Sequence, residues 1–79
     1  MSREEVVAEL IKLAGPVFRK DTTGFNADTK IHEALGTNSL QRIGFLAQIE
    51  NELEVMIPIA DFGSFETFGD LADHCLEEM

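Results

Sequence analysis

Few side chains in this sequence can do chemistry: one cysteine, Cys75, two histidines, His32 and His74, and three serines, Ser2, Ser39 and Ser64. Ser39 has the most informative neighbours. Asn38 before it and Gln41 after it read as an Asn N-cap with a Gln at the third position of a helix. With Asn38 as the cap, the Ser39 hydroxyl is left free at the first helical residue and projects into solvent. An anionic group esterified there would lie against unpaired backbone N–H groups and the positive end of the helix dipole, which stabilise negative charge. The plainer role for a serine at a helix start is to be the cap itself, and residue type alone favours that role.

Neither histidine makes Ser39 a hydrolytic nucleophile. Such a site needs a base held beside the hydroxyl, whereas His32 falls in a loop and His74 on the last helix, with nothing marking either as a partner. Asp21 opens an acidic loop, but Thr23 and Phe25 stand where calcium ligands belong and Asn26 replaces the glycine such a loop requires. One cysteine and two dispersed histidines do not make a structural zinc site. Cys75, with Leu71, Ala72 and Leu76 around it, reads as a thiol packed at a helical position. No catalytic or metal site is expected.

The elements that position Ser39 follow from caps and periodicity. Ser2 and Glu5 form a capping box, and Val6, Val7, Leu10, Ile11, Leu13 and Ala14 then recur at helical spacing, so a first helix starts near residue 3. Gly15-Pro16 should end or kink it, although Val17 and Phe18 continue the apolar stripe. Residues 19–36 read as a long connection with a turn at Thr22-Thr23-Gly24 and a helical turn around Ile31 to Leu35. Phe25, Ile31 and Leu35 pin it to the core. A second helix runs from about Ser39 to Leu53. Val55 and Ile57 flank Met56 before Pro58, and Ile59 to Ser64 form a short helical turn carrying Phe62. Thr67 and Asp70 cap a last helix, Phe68 to Glu78, with Phe68, Leu71, Ala72 and Cys75 on one side. These elements make an all-α bundle of three main helices plus a short one, with one long loop.

At 100° per residue, and with Phe45 as zero, Ile49, Leu53 and Leu46 of the second helix fall at about 40°, 80° and 100° and define its core stripe. Ile43, Ala47 and Leu40 fall at about 160°, 200° and 220° and point away from the core. Three explanations for this second apolar stripe stand open: incidental exposure, contact with another part of the chain, or a docking surface.

At 79 residues, with 44% apolar and 27% charged side chains, the chain reads as one small domain spanning residues 1–79. Fifteen acidic residues against six basic ones give a formal charge of −9. That field disfavours nucleic acid and anionic membrane surfaces and attracts basic patches on protein partners. No apolar run is long enough to span a bilayer and the first residues lack a signal-peptide core, so a monomer located in the cytoplasm is expected.

The segment Leu35-Gly36-Thr37-Asn38-Ser39-Leu40 resembles the acyl carrier protein signature, in which Asp-Ser-Leu follows Leu-Gly and the serine bears 4′-phosphopantetheine. The likeness continues without a gap through Ile49-Glu50, Leu53, Ile57-Pro58 and Thr67-Phe68-Gly69-Asp70-Leu71. It implies a discrete, bacterial type-II acyl carrier protein with a four-helix fold whose third helix is short. It also implies a carrier rather than an enzyme. A phosphopantetheinyl transferase would move the arm from coenzyme A onto Ser39, and acyl-loading and acyl-processing enzymes would use the thioester held there. Leu40, Gln41, Arg42, Ile43 and Ala47 would dock such partners. Phe45, Leu46, Ile49, Phe62 and Phe65 would line an acyl pocket, or else serve as plain core.

The sequence departs from the family pattern beside the serine. Asn38 replaces the signature aspartate, Gln41 and Gly44 occupy positions commonly acidic in fatty-acid carriers, and Arg42 adds a positive charge. Each lost carboxylate weakens the attraction for basic partners. The departures point to a specialised fatty-acid or polyketide-type pathway. A peptidyl, aminoacyl or aryl carrier, and an unmodified helical interaction module of the same fold, are the alternative readings.

Overall fold

A computed structural model describes residues 1–79. The Ser2 hydroxyl accepts from the Glu5 N–H at 3.2 Å and the Glu5 carboxylate accepts from the Ser2 N–H at 2.9 Å. This closed capping box starts α1 (Arg3–Phe18). Of the two outcomes expected at Gly15-Pro16, an end or a kink, the helix does not end there. Pro16 can only remove one bond in the last turn, while Phe18 beyond it is buried and holds that turn against the core. The helix stops at Arg19, which adopts a left-handed conformation (φ 54°, ψ 47°). The Lys20 N–H then closes onto the Gly15 carbonyl at 3.1 Å, a Schellman ending.

The connection after α1 turns at Thr22–Phe25, where the Phe25 N–H reaches the Thr22 carbonyl at 3.0 Å. Its backbone is then stitched to the start of the last helix: Ile31 N–H to Glu66 O at 2.9 Å, Phe68 N–H to Thr29 O at 3.2 Å and Gly69 N–H to Ala27 O at 2.8 Å. A Cβ at position 69 would stand 3.1 Å from the Ala27 oxygen and against the Arg3 guanidinium, so a larger residue there would have to displace Arg3 and press on that carbonyl. The helical turn expected near Ile31 is a separate short helix, α2 (Ile31–Leu35), anchored by burial of Ile31 and Leu35. Phe25 is half-buried and its ring lies 6.0 Å from that of Phe68.

The bounds of α3 (Ser39–Leu53) and α5 (Phe68–Glu78) match the expectations from caps, while the short α4 (Ile59–Phe62) stops two residues before the expected Ser64. Three main helices, α1, α3 and α5, form the bundle, with α2 and α4 as short connecting pieces. Helix α1 packs on both α3 and α5, and Arg3 Nε bonds Asp73 Oδ1 at 2.7 Å across the α1/α5 seam. Phe45, Leu46, Ile49 and Leu53 of α3 are buried, as are Phe68, Leu71, Ala72 and Cys75 of α5. Gly44 is half-buried and faces α1. A Cβ there would meet Val17 at an ordinary 3.6 Å, so close approach does not demand this glycine and nothing in the structure explains it. No helix is long and apolar enough to cross a membrane.

Burial pushes the Cys75 thiol from its ordinary 9.0 up to about 11. An unfolded chain would release this proton near pH 9 while the folded one holds it. Cys75 therefore contributes stability that is complete below about pH 9 and is lost as pH rises towards about 11. Thiol-reactive reagents at pH 8 are expected to label Cys75 only at the rate of unfolding, and full labelling of the native protein within mixing time would contradict this packing.

Candidate functional site

Helix α3 begins with Asn38, not Ser39, as its cap. The Asn38 backbone is extended (φ −66°, ψ 118°) and its Oδ1 accepts from the Gln41 N–H at 3.0 Å. The return bond from the Gln41 side chain that would complete a capping box is not formed. Gly36 sets the approach, since its φ of 85° lies in the region that favours glycine, and its N–H closes α2 onto the His32 carbonyl at 3.0 Å. The chain crosses from α2 to α3 in only three residues.

With capping done by Asn38, the Ser39 hydroxyl is exposed at the first residue of a fifteen-residue helix. The N–H groups of Ser39 and Leu40 lie in the first turn, where no intrahelical acceptor exists. No acidic residue occupies that turn. A phosphodiester esterified to Ser39 fits this setting, because two open N–H groups and the helix dipole face it and no carboxylate stands in the turn to repel it.

The outward stripe of α3 is exposed, with Leu40 at 81% and Ile43 at 52% of full accessibility. Ile43, Leu46, Ala47 and Glu50 form one wall of an open groove of about 390 Å³, and Met56, Ile57 and Ile59 form the other. Met56 and Ile59 were not singled out as site residues from sequence. The signal was nevertheless present for Met56, because it lies between the buried Val55 and Ile57 and alternation turns it outward.

The five residues that the resemblance implies for an acyl pocket do not surround one cavity. Phe45, Ile49 and Phe62 are wholly buried, with the Phe45 ring edge-on to Phe62 at 5.9 Å and to Phe18 at 5.5 Å. Leu46 lies at the groove wall, while Phe65 is half-buried with its ring 5.0 Å from that of His74. A chain lodged among them would require the helices to part. The other concavity, about 330 Å³ between α1 and Phe25–Ala27, lies apart from this set and contains none of its residues.

Gln41 and Arg42 are half-buried rather than free on the surface. The Arg42 guanidinium lies over the Phe62 ring, 5.0 Å from its centroid, a cation–π contact. Its Nη2 is 3.4 Å from His32 Nδ1, and His32 Nε2 donates to the Phe65 carbonyl at 3.1 Å. The His32 ring also meets Phe62 edge-on at 5.3 Å. His32 and Arg42 thus tie α2, α3 and α4 together at the end of the bundle where Ser39 stands. Sequence reasoning did not find this link, because its members are separated by up to 33 positions. The Arg42 Nε is buried without an acceptor, an arrangement that costs about 1–3 kcal/mol.

The family model for the phosphopantetheine attachment site matches residues 5–75. No curated protein matches the chain. Members of the matched family carry covalently attached 4′-phosphopantetheine and act as carriers that work with phosphopantetheinyl transferases and pathway enzymes. The match runs from the first turn of α1 into α5 and so takes in every helix of the bundle and the free serine at the head of α3; the chain belongs to the phosphopantetheine attachment site family.

Proposed function

We propose that this protein is a discrete acyl carrier protein of the bacterial type-II kind, a single domain over residues 1–79 whose arm is attached to Ser39. One observation supports the site above others: the Ser39 hydroxyl is exposed and relieved of capping by Asn38, in a family whose members carry the arm covalently. When bound, 4′-phosphopantetheine supplies a terminal thiol on which an acyl group is held as a thioester. The protein's own residues orient and present it. Ser39 fixes the point of attachment, the open N–H groups of the first turn face the phosphodiester, and Leu40, Gln41, Arg42, Ile43 and Ala47 meet the transferase and the acyl-loading and acyl-processing enzymes.

Acyl cargo is favoured by the strong acidity and by the apolar groove along α3. The absence of a carboxylate at positions 38 and 41, with Arg42 beside them, favours a specialised fatty-acid or polyketide-type pathway over general fatty-acid synthesis. Cytoplasmic location and a monomeric state complete the reading. Intact mass of the protein purified from its own cells tests it. The expected mass includes one phosphopantetheine and an acyl group. An aminoacyl, peptidyl or aryl group would overturn the acyl assignment, and a chain that stays unmodified after incubation with a transferase and coenzyme A would overturn the carrier role.

The docking assignment has its own expected outcome. Ile43→Asp should change stability by no more than about 0.5 kcal/mol, as for other surface positions, while slowing modification by the transferase. Thermal melts and initial rates of mass gain check both halves. A large loss of stability would mean that Ile43 supports the fold instead.

A further inference from the structure

Arg42 is held in a place that only partly suits it. Both ion pairs of the protein, Arg3–Asp73 and Lys30–Glu66, lie elsewhere. Despite fifteen acidic residues in the chain, no carboxylate pairs with Arg42. Its guanidinium rests on an aromatic face, one Nη reaches a histidine nitrogen at 3.4 Å, and its Nε is enclosed without an acceptor. The hydrogen bond to His32 is longer than the roughly 2.7–3.2 Å of a good N–H contact. None of these partners carries a negative charge.

Ser39 lies three residues before Arg42, about 60° around the helix axis and roughly 4.5 Å along it. Residues at that spacing have Cβ atoms about 5–6 Å apart. Side chains on a helix lean towards its N-terminus, so the sweep of Arg42 covers the turn that holds Ser39. A phosphodiester on Ser39 would enter that sweep. It would offer a charged acceptor of the geometry that arginine binds with two parallel hydrogen bonds, stronger than either present contact.

We propose that Arg42 is the protein's own counter-ion for the phosphodiester on Ser39: it rests on Phe62 and His32 in the unmodified chain and turns to the phosphate once the arm is attached. The inference rests on Ser39 being the attachment site. It assigns Arg42 a positioning role at the neck of the arm. It also makes modification loosen the contact between α3 and α4, since Phe62 loses its cation and His32 its donor.

The arginine Nε–H signals of ¹⁵N-labelled protein test this, recorded before and after treatment with a phosphopantetheinyl transferase and coenzyme A. Arg3 and Arg19 are internal controls on other elements. In the fully modified protein the Arg42 signal should move well beyond those two. The ³¹P signal of the phosphodiester should shift in Arg42→Gln and return part of the way in Arg42→Lys. An Arg42 signal unchanged in protein whose mass shows complete modification at Ser39 would overturn the inference and leave the attachment reading intact. If Ser39→Ala gained the arm, the attachment reading would fail and the inference with it.

Discussion

Ser39→Ala is expected to remain folded and to lose phosphopantetheine attachment completely, so that its intact mass is unchanged by transferase and coenzyme A while the wild-type chain gains one arm. The fold should tolerate the change because the Ser39 side chain is exposed and the cap of α3 comes from Asn38, whose oxygen holds the Gln41 N–H at 3.0 Å. Alanine is also the best helix former, so the first turn of α3 does not weaken. The effect on modification is all or none, since no other atom at this position can form the phosphodiester. Ser2 is engaged in the α1 capping box and the Ser64 hydroxyl donates to the Asp61 carbonyl at 2.6 Å, so neither is a ready substitute. A variant that still gained one arm would move the site to one of these two.

The second large effect is expected in the core. Phe45→Ala should destabilise the protein by about 3–5 kcal/mol, the range for truncating a buried aromatic. Phe45 is fully buried and makes edge contacts with Phe18 and Phe62, so it joins α3 to α1 and α4 at once. A domain of this size has a total stability of only about 4–12 kcal/mol. The melting temperature should fall by more than about 12 °C, at roughly 4–8 °C per kcal/mol for a domain of this size. Circular dichroism melts measure it. A drop of only a few degrees would mean that the space beside Phe45 collapses readily or was never tightly filled. That result would favour cargo entering between the helices instead of lying along the open groove.

The contrast between these variants shows what the sequence made legible. Local signals carried the most: Ser2 with Glu5, Asn38 before Ser39, and Thr67 with Asp70 each put a helix start at the residue where the structure has it. The two stripes of α3 also followed from spacing alone, with Phe45, Leu46, Ile49 and Leu53 buried and Leu40, Ile43 and Ala47 exposed. The end of α1 stayed open in the sequence because Gly15-Pro16 is a strong local breaker, whereas burial of Phe18 is a tertiary effect that carries the helix past it. Arg42 shows the same limit. Its sequence neighbours indicate a surface cation, but its environment is set by Phe62 and His32, which only the fold brings to it. The crowding at Gly69 was equally hidden, since the Ala27 carbonyl that a side chain there would press against is 42 positions away in the chain, the difference between 69 and 27.

The identity of the cap on α3 has a consequence under acid. Glu5 completes the cap of α1, and its bonds from the Ser2 backbone and hydroxyl hold its carboxyl below the usual 4.5. The stability it contributes is present above pH 4.5 and is lost as pH falls below that value, when the carboxylate takes up a proton. Asn38 has no proton to gain. Acidification therefore loosens the start of α1 while the turn bearing Ser39 keeps its cap, so the head of α3 is unchanged where the head of α1 weakens.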